Sequence, residues 1–302
     1  MFKSVQKPIL TVLFLLLGLI LLLAGGCAKQ EKQSVSSDNG KIICVAVSIV
    51  PQASFVEAVG GDQVDVITMI PKGANPENFA PDPKQMAALS EAQIYFTIGV
   101  PAEVNGILPR IEKLNSDMKI LDLAAKADQV YPARELAPGE KDPHRWMSPK
   151  RVVVMIESIA EELAAADPNH ADQYQKNAEA YIAQLEKLDE DITASLSAAN
   201  GKSFIVYHPA MGYFADDYGL TMIALEEEGK EATAQGIQAV VDQAKKENIK
   251  VVFYQAEMDS KQARSLAQEL GGEARLIAPL APDYINNLRK TAQAFTSVMQ
   301  QQ

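Results

Sequence analysis

The stretch HADQYQKNAEAYIAQLEKLDEDITASLSAA, residues 170–199, holds neither glycine nor proline. Ala178, Tyr181, Leu185, Leu188, Ile192 and Leu196 recur along it at spacings of three and four. Lys176, Glu179, Lys187, Glu190 and Asp191 fall on the other side. That period predicts one amphipathic helix, with Asp167-Pro168-Asn169 as its start signal. Thirty helical residues reach about 45 Å at 1.5 Å each. A connector of that length without a breaker is rigid, so what it connects decides the fold.

Both flanks read alike. Before it, short apolar runs at 42–50, 63–70, 94–99 and 119–124 alternate with helical stretches at 52–59, 83–91 and 102–114. After it, runs at 203–208, 221–226, 251–255 and 275–280 alternate with helices at 212–218, 235–247, 260–270 and 284–299. Continuous apolar strands between helices imply parallel sheets covered on both faces. The expected fold class is therefore α/β, with two lobes, each a mainly parallel sheet flanked by helices, joined by one long rigid helix. The expected boundaries are 41–169, 170–200 and 201–302.

The first forty residues are of another kind. Met1–Lys7 is basic, Ile9–Leu23 is apolar, and Ala24-Gly25-Gly26 precedes Cys27. A basic start, an apolar run too short for the roughly 20 residues of a spanning helix, and small residues before a cut site read as a secretory leader over 1–26. The cysteine after small residues is similar to the lipobox of bacterial lipoproteins, which implies lipidation at Cys27. Residues 27–40 are polar and aperiodic, as in a flexible tether. The expected location is the cell envelope, outside the cytoplasmic membrane.

Composition narrows the function. Against 39 acidic residues stand 28 Lys and Arg, a net charge of −11, and loss of Lys3 and Lys7 with the leader would deepen it. That speaks against a nucleic-acid binder. Two cysteines exclude a disulfide framework and a Cys-rich zinc module. Cys44, inside an apolar run, reads as a small buried hydrophobe.

Only three histidines are present. His144 sits in DPHRWMSP, bracketed by Pro143 and Pro149, with Asp142 placed to orient its ring. His208 ends the strand SFIVYH before Pro209, at a carboxyl end, where open α/β sheets place ligands. His170 reads as part of a solvated helix start. His144 and His208 come from different halves, and both stand at loop junctions, which points to a shared interlobe site.

Several segments together resemble the zinc- and manganese-binding solute-binding lipoproteins of ABC importers. They are FVEAVGGDQVDVITMIPKGANPENFAPDP (55–83), DPHRWMSP (142–149), QYQKNAEAYIAQLEKLDEDI (173–192), YHPAMGYFADDYGL (207–220), FYQAEMDSKQARSLAQELGG (253–272) and APLAPDYINNLRK (278–290). The resemblance spans about Ile42 to Met299. It implies His144 and His208 as metal ligands and places Glu77 where the family usually has a histidine. For the fourth ligand it implies an acid, here Asp283 first and Glu257 second, with Gln255 at the related strand position and water as a further candidate. His208 leans towards zinc, and the carboxylate would also accept manganese. The implied partners are an ABC permease and the membrane, through the lipid, and the body is expected to be a monomer. Competing readings are a zinc hydrolase, a binder of siderophores, cobalamin or other chelated metals, and an adhesin. No His-Glu-x-x-His or Gly-x-Ser-x-Gly supports the first, and a single tryptophan argues against the second.

Overall fold

The computed structural model describes residues 42–226, 232–258 and 261–300. The expected leader, tether and lipidation site at Cys27 lie outside them. No helix among the described residues is long and apolar enough to cross a membrane.

Two four-stranded sheets form, each wholly parallel. The first runs β2 (Val64–Thr68), β1 (Ile43–Val47), β3 (Ile94–Thr97), β4 (Lys119–Asp122). The second runs β10 (Glu273–Ile277), β9 (Val251–Gln255), β7 (Ser203–Val206), β8 (Thr221–Ala224). A two-stranded antiparallel ribbon, β5 (Glu135–Ala137) with β6 (Glu140–Lys141), lies between them in sequence. In both sheets the first strand is internal, the second flanks it on one side, and the third crosses to the other. The order therefore reverses between β1 and β3, and again between β7 and β9. Ligand crevices form at such switch points, outside the carboxyl ends of the strands.

The helices are α1 (Val50–Gly60), α2 (Pro83–Ser90), α3 (Leu108–Leu114), α4 (Leu123–Val130), α5 (Pro149–Ala166), α6 (Ala171–Leu196), α7 (Gly212–Asp217), α8 (Ala234–Lys246), α9 (Lys261–Glu269) and α10 (Tyr284–Met299). Their starts follow local chemistry. Asp82 accepts from Gln85 N while Gln85 Oε1 accepts from Asp82 N, a capping box with Pro83 in the first turn. Ser148 caps α5 ahead of Pro149. The long connector is α6, entered by a short turn over Pro168–His170 and left by another over Ser197–Ala199. It buries Tyr174, Ala178, Leu185, Leu188, Ile192 and Leu196, so the apolar stripe starts one turn earlier than the sequence suggested and Tyr181 is only partly covered.

That stripe is no mere spacer. One continuous apolar core takes in β1 (Val45, Val47), α5 (Met155, Ile159), α6 (Leu185, Leu188), α10 (Leu288, Phe295) and the second sheet (Phe204, Phe253). Phe295 lies 4.4 Å from Phe204, ring centre to ring centre, and 4.7 Å from Phe253. Smaller cores fill the outer faces of each sheet.

Candidate metal centre

His144 and His208 meet where the two sheets' carboxyl ends converge. His208 follows β7 by two residues, and Tyr207 N donates to Phe253 O of the neighbouring β9 at 2.8 Å. His144 opens the short helical turn Arg145–Met147 just before α5. Its loop is tied from several directions. Arg145 donates Nε and Nη2 to the two oxygens of Asp128 at 2.7 and 2.8 Å, and Nη1 to Asp142 O at 2.8 Å. Burial works against the Asp128 carboxylate, but Arg145 and Lys141 hold its pKa below the ordinary range.

The two rings have committed one nitrogen each. His144 Nδ1 lies 2.8 Å from Asp142 Oδ1, and Asp142 is fully buried. His208 Nδ1 lies 2.6 Å from Glu226 Oε2. A carboxylate accepts only, so each Nδ1 carries the proton and each Nε2 presents a lone pair. Those two Nε2 atoms face each other at 3.1 Å. With both rings neutral and Nδ1 the donor on each, the two lone pairs face each other, and a cation between them would offset their repulsion. Two zinc–nitrogen bonds of about 2.0–2.1 Å at the tetrahedral angle would set the nitrogens about 3.3 Å apart. Glu77 Oε1 stands 3.7 Å from His208 Nε2. One donor atom from each of Glu77, His144 and His208 lies within 4.8 Å of the others.

Glu77 is carried by a loop that hangs on the first lobe. Glu77 N donates to Asn75 Oδ1 at 2.9 Å, and Pro76 O accepts from Ala102 N at 2.9 Å. The histidine loops are cross-linked as well. Tyr213 Oη accepts from Arg134 N and donates to Asp142 O. Arg134 Nη1 donates to both oxygens of Asp216, while its Nε stands 3.3 Å from Asp142 Oδ2. Arg151 pairs with Asp217 and lies 4.4 Å from the centre of the Tyr213 ring. The approach is close enough that a Cβ at Gly212 would fall 2.3 Å from Arg134 Nε. The loop bearing His144 is thus strapped to α7, which starts four residues after His208.

Other residues singled out from the sequence stand elsewhere. Asp283 is not brought to the cluster. It follows Pro282 at the start of α10, where exposed amides call for a capping acceptor, and it accepts from Asn286 N and from Asn286 Nδ2 at 2.8 Å. It lines a separate groove with Tyr181, Lys187 and Arg289. Glu257 lies outside the cluster too, among the described residues. His170 stays at its helix start, bonded to Asp167. Sequence reasoning missed Glu226. The available signal was the acid run that closes β8, the strand beside the one carrying His208.

Glu226 carries a prediction. Partners that orient metal-binding histidines are worth about 10–100-fold in affinity. Glu226→Gln keeps the shape but can offer its amide nitrogen to Nδ1, which favours the wrong tautomer. Zinc affinity by chelator competition should fall by about that factor, with the far-ultraviolet circular dichroism unchanged. Unaltered affinity would show that His208 needs no such support.

The family model "Zinc-uptake complex component A periplasmic" matches residues 45–298. Zinc-binding protein AdcA of Streptococcus pyogenes serotype M1 is 29% identical over 272 residues, covering 83% of this chain and 52% of its own. The high-affinity zinc uptake system protein ZnuA of Bacillus subtilis is 26% identical over 271 residues, with 86% and 85% covered. A crystal structure of ZnuA superposes with a TM-score of 0.80 at 37% identity, covering 85% of this chain and 99% of that one. The chain spans about half the length of the curated relatives it matches first.

Proposed function

From the premise that this chain belongs to the zinc-uptake complex component A family, we propose that it is an extracytoplasmic solute-binding lipoprotein. It captures a divalent transition-metal ion, zinc in preference to manganese, and delivers it to an ABC permease. The cargo sits between a first lobe of residues 41–169 and a second of 201–302, with 170–200 as the connecting backbone. Glu77 and His144 grip it from the first lobe and His208 from the second, with Asp142 and Glu226 orienting the rings. The lipid at Cys27 keeps the carrier at the membrane, which raises its effective concentration near the permease.

The observation that carries this reading is the pair of Nε2 atoms 3.1 Å apart, each ring tied behind to a buried or nearly buried carboxylate. An enzyme site would need a reacting group beside the ion. Most side chains around these donors are apolar, such as Trp146, Met258 and Leu280, which suits grip and shielding more than chemistry. Two imidazoles and one carboxylate accept both metals, and the Irving–Williams order favours zinc over manganese.

The test is elemental analysis of the body, residues 28–302, followed by chelator-competition titration with zinc and manganese. One zinc per chain, held more tightly than manganese, is expected. A chain that retains no stoichiometric metal would sink the proposal.

A further inference from the structure

The small cavity over the three donors is walled mainly by apolar groups. Trp146, the largest of them, has already used its one polar atom, since Nε1 donates to Pro279 O at 3.0 Å. Beyond Glu77, His144 and His208, one further polar side chain lines this cavity among the described residues. It is Gln255. Gln255 is 4% exposed, and its Nε2 is buried with no hydrogen-bond partner. It is the last residue of β9, beside β7 and therefore at the second sheet's switch point.

An orphaned donor in such a place has a cost of about 1–3 kcal/mol. Native proteins keep few of them, and each calls for an explanation, an ordered water or ion being one. An amide nitrogen cannot bind a cation, because its lone pair is delocalised and its hydrogens repel positive charge. It can donate to a water that the cation itself holds. Three protein donors with water in the fourth position is a shell that zinc readily adopts. A buried water needs two or more polar partners, and the ion and Gln255 supply them.

Resting on the capture reading above, we propose that the cargo ion keeps its fourth coordination position for a water molecule, and that Gln255 is the residue that holds this water, Nε2–H donating to its oxygen. Gln255 is thus a positioning residue that governs how the ion leaves. An incoming ligand can replace the water before any protein donor lets go, so the ion can be handed over stepwise. An acid at the same position would ligate directly and close the shell. The neutral amide leaves it open.

The experiment uses the soluble chain, residues 28–302, loaded with Co2+. Visible absorption reports the coordination shell, azide probes for a replaceable water, and stopped-flow mixing with excess EDTA times removal. For the native chain azide should shift the cobalt bands. Gln255→Glu, close in size to the native residue, should abolish the azide response and slow removal by about tenfold or more, as expected when a water position is taken by a carboxylate. Gln255→Leu should keep the azide response and shift the azide-free bands, because the water has lost its donor. Thermal melting of both metal-free variants checks the fold, and Gln255→Glu decides the matter if Gln255→Leu does not fold. Native cobalt bands that ignore azide, or variants with native bands and native removal rates, would overturn the inference while leaving capture intact. A native chain that takes up no cobalt would overturn the capture reading and this inference with it.

Discussion

Replacing His144 and His208 together with alanine is expected to abolish stoichiometric zinc binding. Each ring supplies one Nε2 to the cluster, and each is buried, at 5% and 4% exposure. What remains is Glu77, a half-buried single carboxylate on a loop. One carboxylate without imidazole support has little hold on zinc in water. The affinity should fall by about three orders of magnitude or more, since two of the three bonds that make up a free energy of order 10 kcal/mol are removed. A ligand that binds only the native state stabilises it by about 4 kcal/mol at a thousand times its dissociation constant. The native body should therefore melt several degrees higher with excess zinc, and the double variant at one temperature with or without it. The metal-free variant will itself be less stable, because Asp142 and Glu226 keep their burial and lose their ring partners. The zinc-dependent difference, not the melting temperature, is the quantity to read. A zinc-induced rise that survives in the double variant would place the site elsewhere.

The second large effect belongs to a residue that is not itself a metal donor. Glu103 is 1% exposed, in the wide helical turn Glu103–Ile107 that leads into α3. Its carboxyl accepts from Ile98 N at 2.8 Å, from Gly99 N at 2.9 Å and from Ser48 Oγ, which also contacts Tyr95 Oη. Burial outweighs those bonds and raises its pKa from 4.5 to about 7, with Asp122 adding a little. A raised folded-state value means that folding favours the protonated form. That contribution is whole below about pH 4.5 and is lost as the pH climbs through about 7. The gap is worth about 3 kcal/mol. Glu103→Gln stays neutral throughout, and its Oε1 can still accept from the two amides. The metal-free variant should match the native chain near pH 4.5 and exceed it by up to about 3 kcal/mol at pH 8. Urea unfolding of both proteins from pH 4 to 8 checks this. Parallel curves across that range would mean that Glu103 is not the buried acid described. Glu103 is not one of the three donors and does not line the cavity over them, so the same variant should leave metal affinity close to native.

Much of the architecture could be read in advance because two periods are written plainly. The i, i+3, i+4 stripe of residues 178–196 and the apolar runs on both sides specify helix and buried strand without help from distant residues. Details that depend on competition between local signals were harder. The run 119–124 looked like strand to its end, yet Asp122 turns it by capping α4, an element the reading did not foresee. The helix expected over 102–114 is two unlike pieces, with Gly106 and Pro109 near the join. At the site, His144 and His208 stood out because histidines are scarce and both interrupt apolar strands or proline-bracketed loops. Asp283 caps α10, and a helix start and a metal both want a carboxylate, so spacing alone does not choose between them. The role of Glu226, and which of the fourth-position candidates, Gln255 among them, lies at the cavity, were harder to read for a different reason. Their importance lies in which strand is next to which, and the crossing order of the second sheet is a property of the folded chain.

The single apolar core that runs through α6 has a consequence for cooperativity. Leu185, Leu188 and Ile192 belong to the same contiguous interior as Val45 in one sheet and Phe253 in the other. The two halves, although each has a complete sheet of its own, are therefore expected to unfold together. A fragment ending before residue 170 would expose the underside of α5, and one starting after residue 200 would leave Phe204 and Phe295 without their roof. A single unfolding transition by heat or denaturant is the expected result, because the strut between the halves is also their common interior.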